Sequence, residues 1–429
     1  MHIFFSGIGG GGIGPLAQIA KQADYDVSGS DAQESVNTDL LKKQGIDFYI
    51  GQTADAIAAH HAKHPIDWLV VTSSITRTNP DHPELVFARE HGIKISKRDE
   101  LLGDIITDKK LKLVGIAGTH GKSTTTAMVI WLFQELGVPI GHSVGAKLSF
   151  APMGNLADGA EYFVYECDEF DNNFLAFHPY YSVITGVAWD HHEIFPTRES
   201  YIKAYRQFLD QSQHTLIWQD DVKHLELEPS DKLCILDKSV SKIETIALPG
   251  DYNRQDAWLA VLVVHKLLGK EVDELIPLID RFPGLKQRME ELAPSLYSNY
   301  AHTPEKIKGG MLTALELAKP KHQKLVVIYE PLTNRRQHYI KDDYKDCFAG
   351  ADHLYWVPSY LAREDPNLPV LSPAELIAHI SNPEIAEPAK LDDVLLAKVK
   401  QHLADGDMVV LMGASGGGSA DEWLRKHFA

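Results

Sequence analysis

The chain has 429 residues, of which 44% are hydrophobic and 24% charged, and a formal net charge of −17. That length exceeds a single hydrophobic core and suits two or three domains. The acidic balance argues against nucleic-acid binding, which needs a cationic surface. Three well-separated cysteines, Cys167, Cys234 and Cys347, make neither a disulfide framework nor a metal cluster and fit a reducing, cytoplasmic setting. No apolar run approaches ~18 residues and the N-terminus has no basic leader, so neither a membrane span nor a signal peptide is expected.

The first elements read as a parallel α/β unit. A strand over His2–Ser6 runs into Gly7-Ile-Gly-Gly-Gly-Gly-Ile-Gly14, followed by a helix over Pro15–Gln22. A second strand near Tyr25–Ser28 ends in Gly29-Ser-Asp31, and further strands are expected at Phe48–Ile50, Trp68–Thr72 and Ile93–Ile95. Helices at Asp39–Gln44 and Pro83–His91 lie between them. Gly7-x-Gly9-x-x-Gly12 after a strand, opening a helix, with Asp31 further on, matches the dinucleotide-binding pattern. The same residues also suit a tight strand–helix turn without ligand, NAD, or another nucleotide held by its diphosphate.

After a polar stretch, Thr107-Asp-Lys-Lys-Leu-Lys112, the apolar run Leu113–Ala117 leads into Gly118-Thr-His-Gly-Lys-Ser-Thr-Thr125 and a helix-forming stretch. Strand, glycine loop, Lys, hydroxyl and helix is how proteins hold a nucleoside triphosphate. Glycines admit backbone N–H groups to the phosphates, Lys122 reaches the outer ones, and the Ser123 or Thr124 hydroxyl can bind Mg²⁺. The usual loop has a further glycine five residues before Gly121, where this chain has Ile116, so the turn is a shortened one. A strand over Tyr162–Glu166 ends in Glu166-Cys-Asp-Glu-Phe-Asp171, and one over Tyr181–Val187 precedes Trp189-Asp-His-His-Glu193. Ligands collect at the carboxyl ends of strands in open sheets. Glu169 and His191 stand there, beside the loop, as candidate metal ligands.

A strand over His214–Ile217 follows. Leu248-Pro-Gly-Asp-Tyr-Asn253 then opens a helix running to Leu267. Asn253 could read an adenine edge and Asp256 accept from its amine, or the segment could be a plain helix cap. A third segment starts near Phe282-Pro-Gly284 and carries strands at Leu296–Tyr300, Lys324–Tyr329, His353–Val357 and Met408–Met412. Arg288 and the pair Arg335-Arg336 are forks suited to carboxylates or phosphates, or to surface ion pairs. His302 ends a strand and is a possible ligand contact.

In this order, Ala117-Gly-Thr-His-Gly-Lys-Ser123, Glu166-Cys-Asp-Glu169, Asp190-His191, the Asn253 segment, Phe282-Pro-Gly-Leu-Lys-Gln-Arg-Met-Glu290 and Tyr300-Ala-His-Thr-Pro304 resemble the Mur ligases of peptidoglycan synthesis over essentially the whole chain. The resemblance implies three α/β domains. Residues 1–107 would be a Rossmann-like domain for a UDP-sugar, 108–283 a central ATP-binding domain, and 284–429 a Rossmann-like ligase domain contacting ATP and the amino acid. It implies an ATP-dependent C–N ligase, with Mg²⁺, that joins L-alanine, or another amino acid or a peptide, to UDP-N-acetylmuramate. The branch adding L-alanine is favoured by Gly7-Ile-Gly-Gly10, Ser28-Gly-Ser-Asp31, Ser73-Ser-Ile75 and Asn79-Pro80. A peptide-adding branch and a non-catalytic nucleotide-binding regulator are the alternatives, and a monomer or homodimer is expected.

By resemblance, Lys122, Glu169, His191 and Arg288 serve catalysis, and Ser123, Glu169 and His191 hold metal. ATP would meet Gly118, Thr119, His120, Gly121, Lys122, Ser123, Thr124, Asn253, Asp256, Arg288, Asn299 and His302. The UDP-sugar would meet Gly9, Gly10, Gly12, Ile13, Ser30, Asp31, Ser73, Ser74 and Asn79. The chain departs from the family pattern at Ser298-Asn299, where two aspartates are usual, at Thr303 in place of a second histidine, at Tyr252 in place of a histidine, and at Asp256 in place of an asparagine.

Overall fold

The structure, a computed structural model, describes the whole chain except residues 73, 74, 76–78, 190–193, 362, 363, 366, 414, 415 and 429 and the side chain at position 36. It holds three mostly parallel sheets. The first comprises β1 (His2–Ser6), β2 (Asp26–Asp31), β3 (Asp47–Ile50), β4 (Trp68–Val71) and β5 (Lys94–Lys97), all parallel in the order β3-β2-β1-β4-β5. The central strand β1 is buried on both faces. Ile3 and Phe5 join the core under the helix Ile13–Gln22, while Phe4 packs with Ile57, Leu85 and Phe87 on the other side. A continuous apolar run is what a doubly covered parallel strand demands.

The second sheet comprises β6 (Lys112–Ala117), β7 (Ile140–Ser143), β8 (Gly154–Leu156), β9 (Tyr162–Glu166), β10 (Tyr181–Ile184), β11 (His214–Trp218) and β12 (Leu233–Leu236), in the order β12-β11-β10-β6-β9-β7-β8, with only β7–β8 antiparallel. The chain leaves β6 toward one side and returns to pair β10 on the other. The carboxyl ends of β6, β9 and β10 therefore flank a crevice at the switch in strand order, where open α/β sheets bind ligands.

The third sheet comprises β13 (Glu290–Ala293), β14 (Leu296–Asn299), β15 (Leu325–Tyr329), β16 (His353–Trp356), β17 (Ala386–Pro388) and β18 (Met408–Met412), in the order β13-β14-β18-β15-β16-β17. The β13–β14 pair is an antiparallel hairpin and the rest is parallel. Val327, Tyr329 and Val410 face one core, and Val326, Ile328 and Val409 the other, so both faces are covered.

The chain divides into two compact units. One is Met1–Ile246 with Asp256–Phe282 and contains the first two sheets. The other is Ala247–Gln255 with Pro283–Ala429 and contains the third. No described helix is long and apolar enough to cross a membrane.

Candidate active site

The loop after β6 is built by two glycines with positive φ, +148° at Gly118 and +79° at Gly121. Space enforces them as well as backbone angle. A Cβ on Gly118 would lie 2.2 Å from Thr185 Oγ1, and one on Gly121 would lie 2.5 Å from Asp256 Oδ1. The loop is pinned to the neighbouring strand end. Thr119 N donates to Gly186 O (2.8 Å), Thr119 Oγ1 donates to Ala188 O (2.6 Å) and accepts from Ala188 N (2.8 Å), and Thr185 Oγ1 donates to His120 O. Gly121 then starts the helix Lys122–Glu135 with no side-chain cap, so its first N–H groups open onto the loop. Thr124 is buried within that helix; Ser123 is the hydroxyl on the loop side.

Lys122 Nζ donates to Gly118 O at 2.6 Å and to Glu169 Oε2 at 2.8 Å. Burial pushes the Lys122 pKa down, but Glu169, Asp168 and Glu166 outweigh it and hold the ammonium protonated, above its ordinary value. Ser123 Oγ donates to Glu166 Oε1 (2.7 Å), and Glu166 Oε2 accepts from Gly145 N (2.7 Å). Asp171 and Asn172, just beyond Glu169, both adopt left-handed backbone, with φ of 56° and 57°. Strained backbone of this kind is held by its surroundings and clusters at functional sites. Lys97 Nζ donates to Asp171, and Tyr165 OH to Asp99.

The first glycine loop uses Asp31 to brace itself. Asp31 Oδ2 accepts from Gly9 N at 2.7 Å, while Gly7 N and Ile8 N both donate to Ser30 O at 2.9 Å. The Ser30 and Ser6 hydroxyls donate to Glu84, which is fully buried. Gly10 and Gly12 follow on the loop. Ile13 is fully buried, so its side chain belongs to the core and only its backbone faces the loop. Asn79 is exposed, and its N–H donates to Ile75 O at 2.9 Å. A cavity of about 210 Å³ joins this loop to the phosphate loop, with Gly11, Gly12, Arg98, Lys122, Glu166 and Asp168 in its wall.

In the second unit, Arg288 stacks over Tyr300, 5.2 Å from the ring centroid, and Tyr300 lies edge-on to His302 at 4.4 Å. Gln287 and Met289, on either side of Arg288, have φ of 57° and 50°. Burial pushes His302 well below the ordinary imidazole range, helped by Lys306, Arg336 and Arg288, so the ring is neutral. Three cations around a neutral histidine make an anion-seeking corner. The Asn253 amide donates to Pro249 O at 2.8 Å. The side-chain nitrogen of Asn299 lies against Gly310, 2.4 Å from where a Cβ there would be. Ser298, 1% exposed, donates to Asp421, which in turn accepts from Arg425.

Gly118 to Ser123, Glu169 and Asp256 thus come together at the carboxyl edge of the second sheet, and Arg288 and His302 in the second unit. His191, Ser73 and Ser74 lie outside the described residues. Two residues of the site were not singled out in the sequence. In the sequence Glu166 stands only as one member of an acidic run, although it is the carboxylate that accepts from Ser123. Arg98 has a signal too, since it follows directly on the carboxyl end of β5. Hydroxyl and carboxylate oxygens around Lys122 are hard donors that suit Mg²⁺. Among the described residues no cluster of three or more His, Cys, Asp or Glu forms a ready-made metal cage.

The model of the Mur ligase family catalytic domain matches residues 2–110, and that of the Mur ligase middle domain matches residues 116–255. UDP-N-acetylmuramate–L-alanine ligase of Rickettsia massiliae (strain Mtu5) is 28% identical over 467 aligned positions, covering 96% of this chain and 92% of that protein. The solved UDP-N-acetylmuramate-alanine ligase of Thermotoga maritima superposes with a TM-score of 0.73 at 23% identity, over 99% of this chain and 98% of that one. A murein peptide ligase from Psychrobacter arcticus gives a TM-score of 0.57 at 21% identity, over 96% and 95%. The chain belongs to the Mur ligase family and is an ATP-using ligase that forms a C–N bond.

Proposed function

We propose that the protein joins L-alanine to the lactyl carboxylate of UDP-N-acetylmuramate in peptidoglycan synthesis, in the cytoplasm, where ATP and the sugar nucleotide are both available. The observation that carries this reading is the shared cavity, with the glycines of the first loop on one wall and Lys122 on the other. A carboxylate-bearing nucleotide held by the first loop would meet a triphosphate held by the second. Residues 1–107, 108–283 and 284–429 would supply the sugar-nucleotide, ATP and closing domains.

A carboxylate is a poor electrophile. One of its oxygens attacks the γ-phosphorus of ATP and ADP leaves, which turns the carboxylate into an acyl phosphate. The neutral amine then attacks the acyl carbon, and phosphate departs from the tetrahedral intermediate with the bridging oxygen. Lys122, held protonated between Gly118 O and Glu169, supplies positive charge where negative charge gathers on the transferring group. The loop N–H groups and the start of the helix Lys122–Glu135 add to it. Ser123, Glu166 and Glu169 would hold Mg²⁺, with His191 as a further ligand; the ion neutralises phosphate charge when bound. Arg288 and His302 would approach the phosphates from the third domain, and Asn253, Asp256 and Asn299 the base and ribose.

A second reading, addition of a peptide, rests on Ser298, Asn299 and Thr303, which differ from the family pattern near the amino-acid pocket. Coupled phosphate release with ATP, UDP-N-acetylmuramate and a panel of amines separates the two. Release should need both the sugar nucleotide and L-alanine, and Lys122→Ala should lower it by at least ~10²-fold. Stimulation by a tripeptide alone would select the second reading. No release with L-alanine, L-serine, glycine or a muropeptide would refute both.

A further inference from the structure

Tyr201 lies in the first turn of the helix Arg198–Asp210, 82 residues after Thr119 of the phosphate loop, and no motif marks it. The start of that helix is fixed by a capping box, in which Ser200 N donates to Thr197 Oγ1 and Thr197 N to Ser200 Oγ. The Tyr201 ring is fully buried and stands edge-on to Phe195 at 5.1 Å, with the Tyr205 ring 5.0 Å away. Packing holds the ring in place, and its hydroxyl reaches Thr119 Oγ1 at 2.7 Å.

Counting protons gives the direction of that bond. A threonine hydroxyl has one proton and two lone pairs. The Thr119 proton goes to Ala188 O (2.6 Å), and one lone pair accepts from Ala188 N (2.8 Å). Tyr201 is then the donor to the second lone pair, and the Thr119 hydroxyl is fully spent within the protein. The chain meets this one oxygen twice, at Ala188 just beyond β10 and at Tyr201 on the helix. Thr119 stands between Gly118 and Gly121, whose positive φ angles make this the most freely turning part of the loop. A side chain bonded on three sides there fixes the loop before a nucleotide arrives, and pre-set geometry is what phosphoryl transfer rewards.

Resting on the reading of Gly118–Ser123 as the ATP loop, we propose that Tyr201 is a positioning residue for phosphoryl transfer, acting through Thr119. The test combines calorimetric binding of ATP and AMP with steady-state kinetics on UDP-N-acetylmuramate and L-alanine. It uses the full chain, Tyr201→Phe, Thr119→Ser, Thr119→Val and Tyr201→Phe with Thr119→Val. Tyr201→Phe keeps the packed ring and loses the bond. It should weaken ATP about 3-fold to 10-fold, the worth of one hydrogen bond, and lower kcat about 10-fold. AMP, which lacks the outer phosphates, and the KM for UDP-N-acetylmuramate should stay within about two-fold. Thr119→Ser keeps the hydroxyl and should stay within about three-fold of wild type. In Thr119→Val the acceptor is gone, so adding Tyr201→Phe should cost nothing further.

ATP affinity and kcat both unchanged in Tyr201→Phe would overturn the proposal. So would an undiminished effect of Tyr201→Phe in the Thr119→Val background, or an equal loss for AMP. A lowered denaturant midpoint with ATP affinity and kcat intact would make Tyr201 a residue of the fold only, which also overturns it. Wild type that binds ATP but releases no phosphate with any amine would refute the ligase reading, while a Tyr201→Phe loss confined to ATP would still support Tyr201. Wild type that turns over normally alongside an unaffected Tyr201→Phe would refute Tyr201 alone. Wild type that binds no ATP would refute both.

Discussion

At the scale of single residues, charge and space fix the site. Lys122 is protonated because three carboxylates overcome its burial, and Gly121 is a glycine because Asp256 occupies the room a side chain would need. His302 is the opposite case, a buried imidazole kept neutral by burial and by Lys306, Arg336 and Arg288. Its sign gives a prediction. The folded pKa lies well below 6.5, so near pH 6 and lower the unfolded chain binds a proton that the folded one refuses. The stability that neutral His302 contributes is fully present above about pH 6.5 and is lost as pH falls, at up to ~1.4 kcal/mol per unit. Denaturant midpoints at pH 7.5 and 5.5 should diverge less in His302→Gln than in wild type. An identical pH response in the two would show that His302 is not the titrating group.

At the scale of elements, the strands that a sequence reveals are the buried central ones. Leu113–Ala117 and Met408–Met412 are expected from their apolar runs and appear as β6 and β18. The strands that escape notice are short. β8, β12, β13 and β17 each lie at a sheet edge, and β7 stands next to one, between β9 and the edge strand β8. An edge strand has one partner and partial burial, so it needs no continuous apolar signal. The site is legible where a strand end meets glycines, as at Gly118–Ser123. It is illegible where a contact crosses between segments, as with Glu166 to Ser123 or Arg98 to Gly12, because spacing along the chain says nothing of such meetings.

Ser298 illustrates the same limit on β14. It looks like a lost acid, yet the acid it meets is supplied by Asp421 on the helix Ala420–Phe428, with Arg425 bridging Asp421 and Glu290. Restoring the family residue as Ser298→Asp would press two buried carboxylates together. It should destabilise the protein by about 1–3 kcal/mol, read as a lowered denaturant midpoint. Ser298→Asp with Asp421→Ser should recover most of that loss. A neutral single variant, or a double variant no better than the single, would show that the two positions are not coupled.

At the scale of the molecule, one unit brings two glycine loops to a common cavity, and the other offers a cationic corner with a neutral histidine. The central claim is that the first loop's ligand presents a carboxylate for phosphorylation by the second loop's ATP. Transfer of oxygen from that carboxylate to phosphate tests it most directly. UDP-N-acetylmuramate carrying ¹⁸O in both lactyl carboxylate oxygens, turned over with ATP and L-alanine, should release phosphate containing one labelled oxygen per molecule, because the bridging oxygen departs with phosphorus. Unlabelled phosphate accompanying the ligated product would mean that ATP does not activate the carboxylate, and would contradict the account.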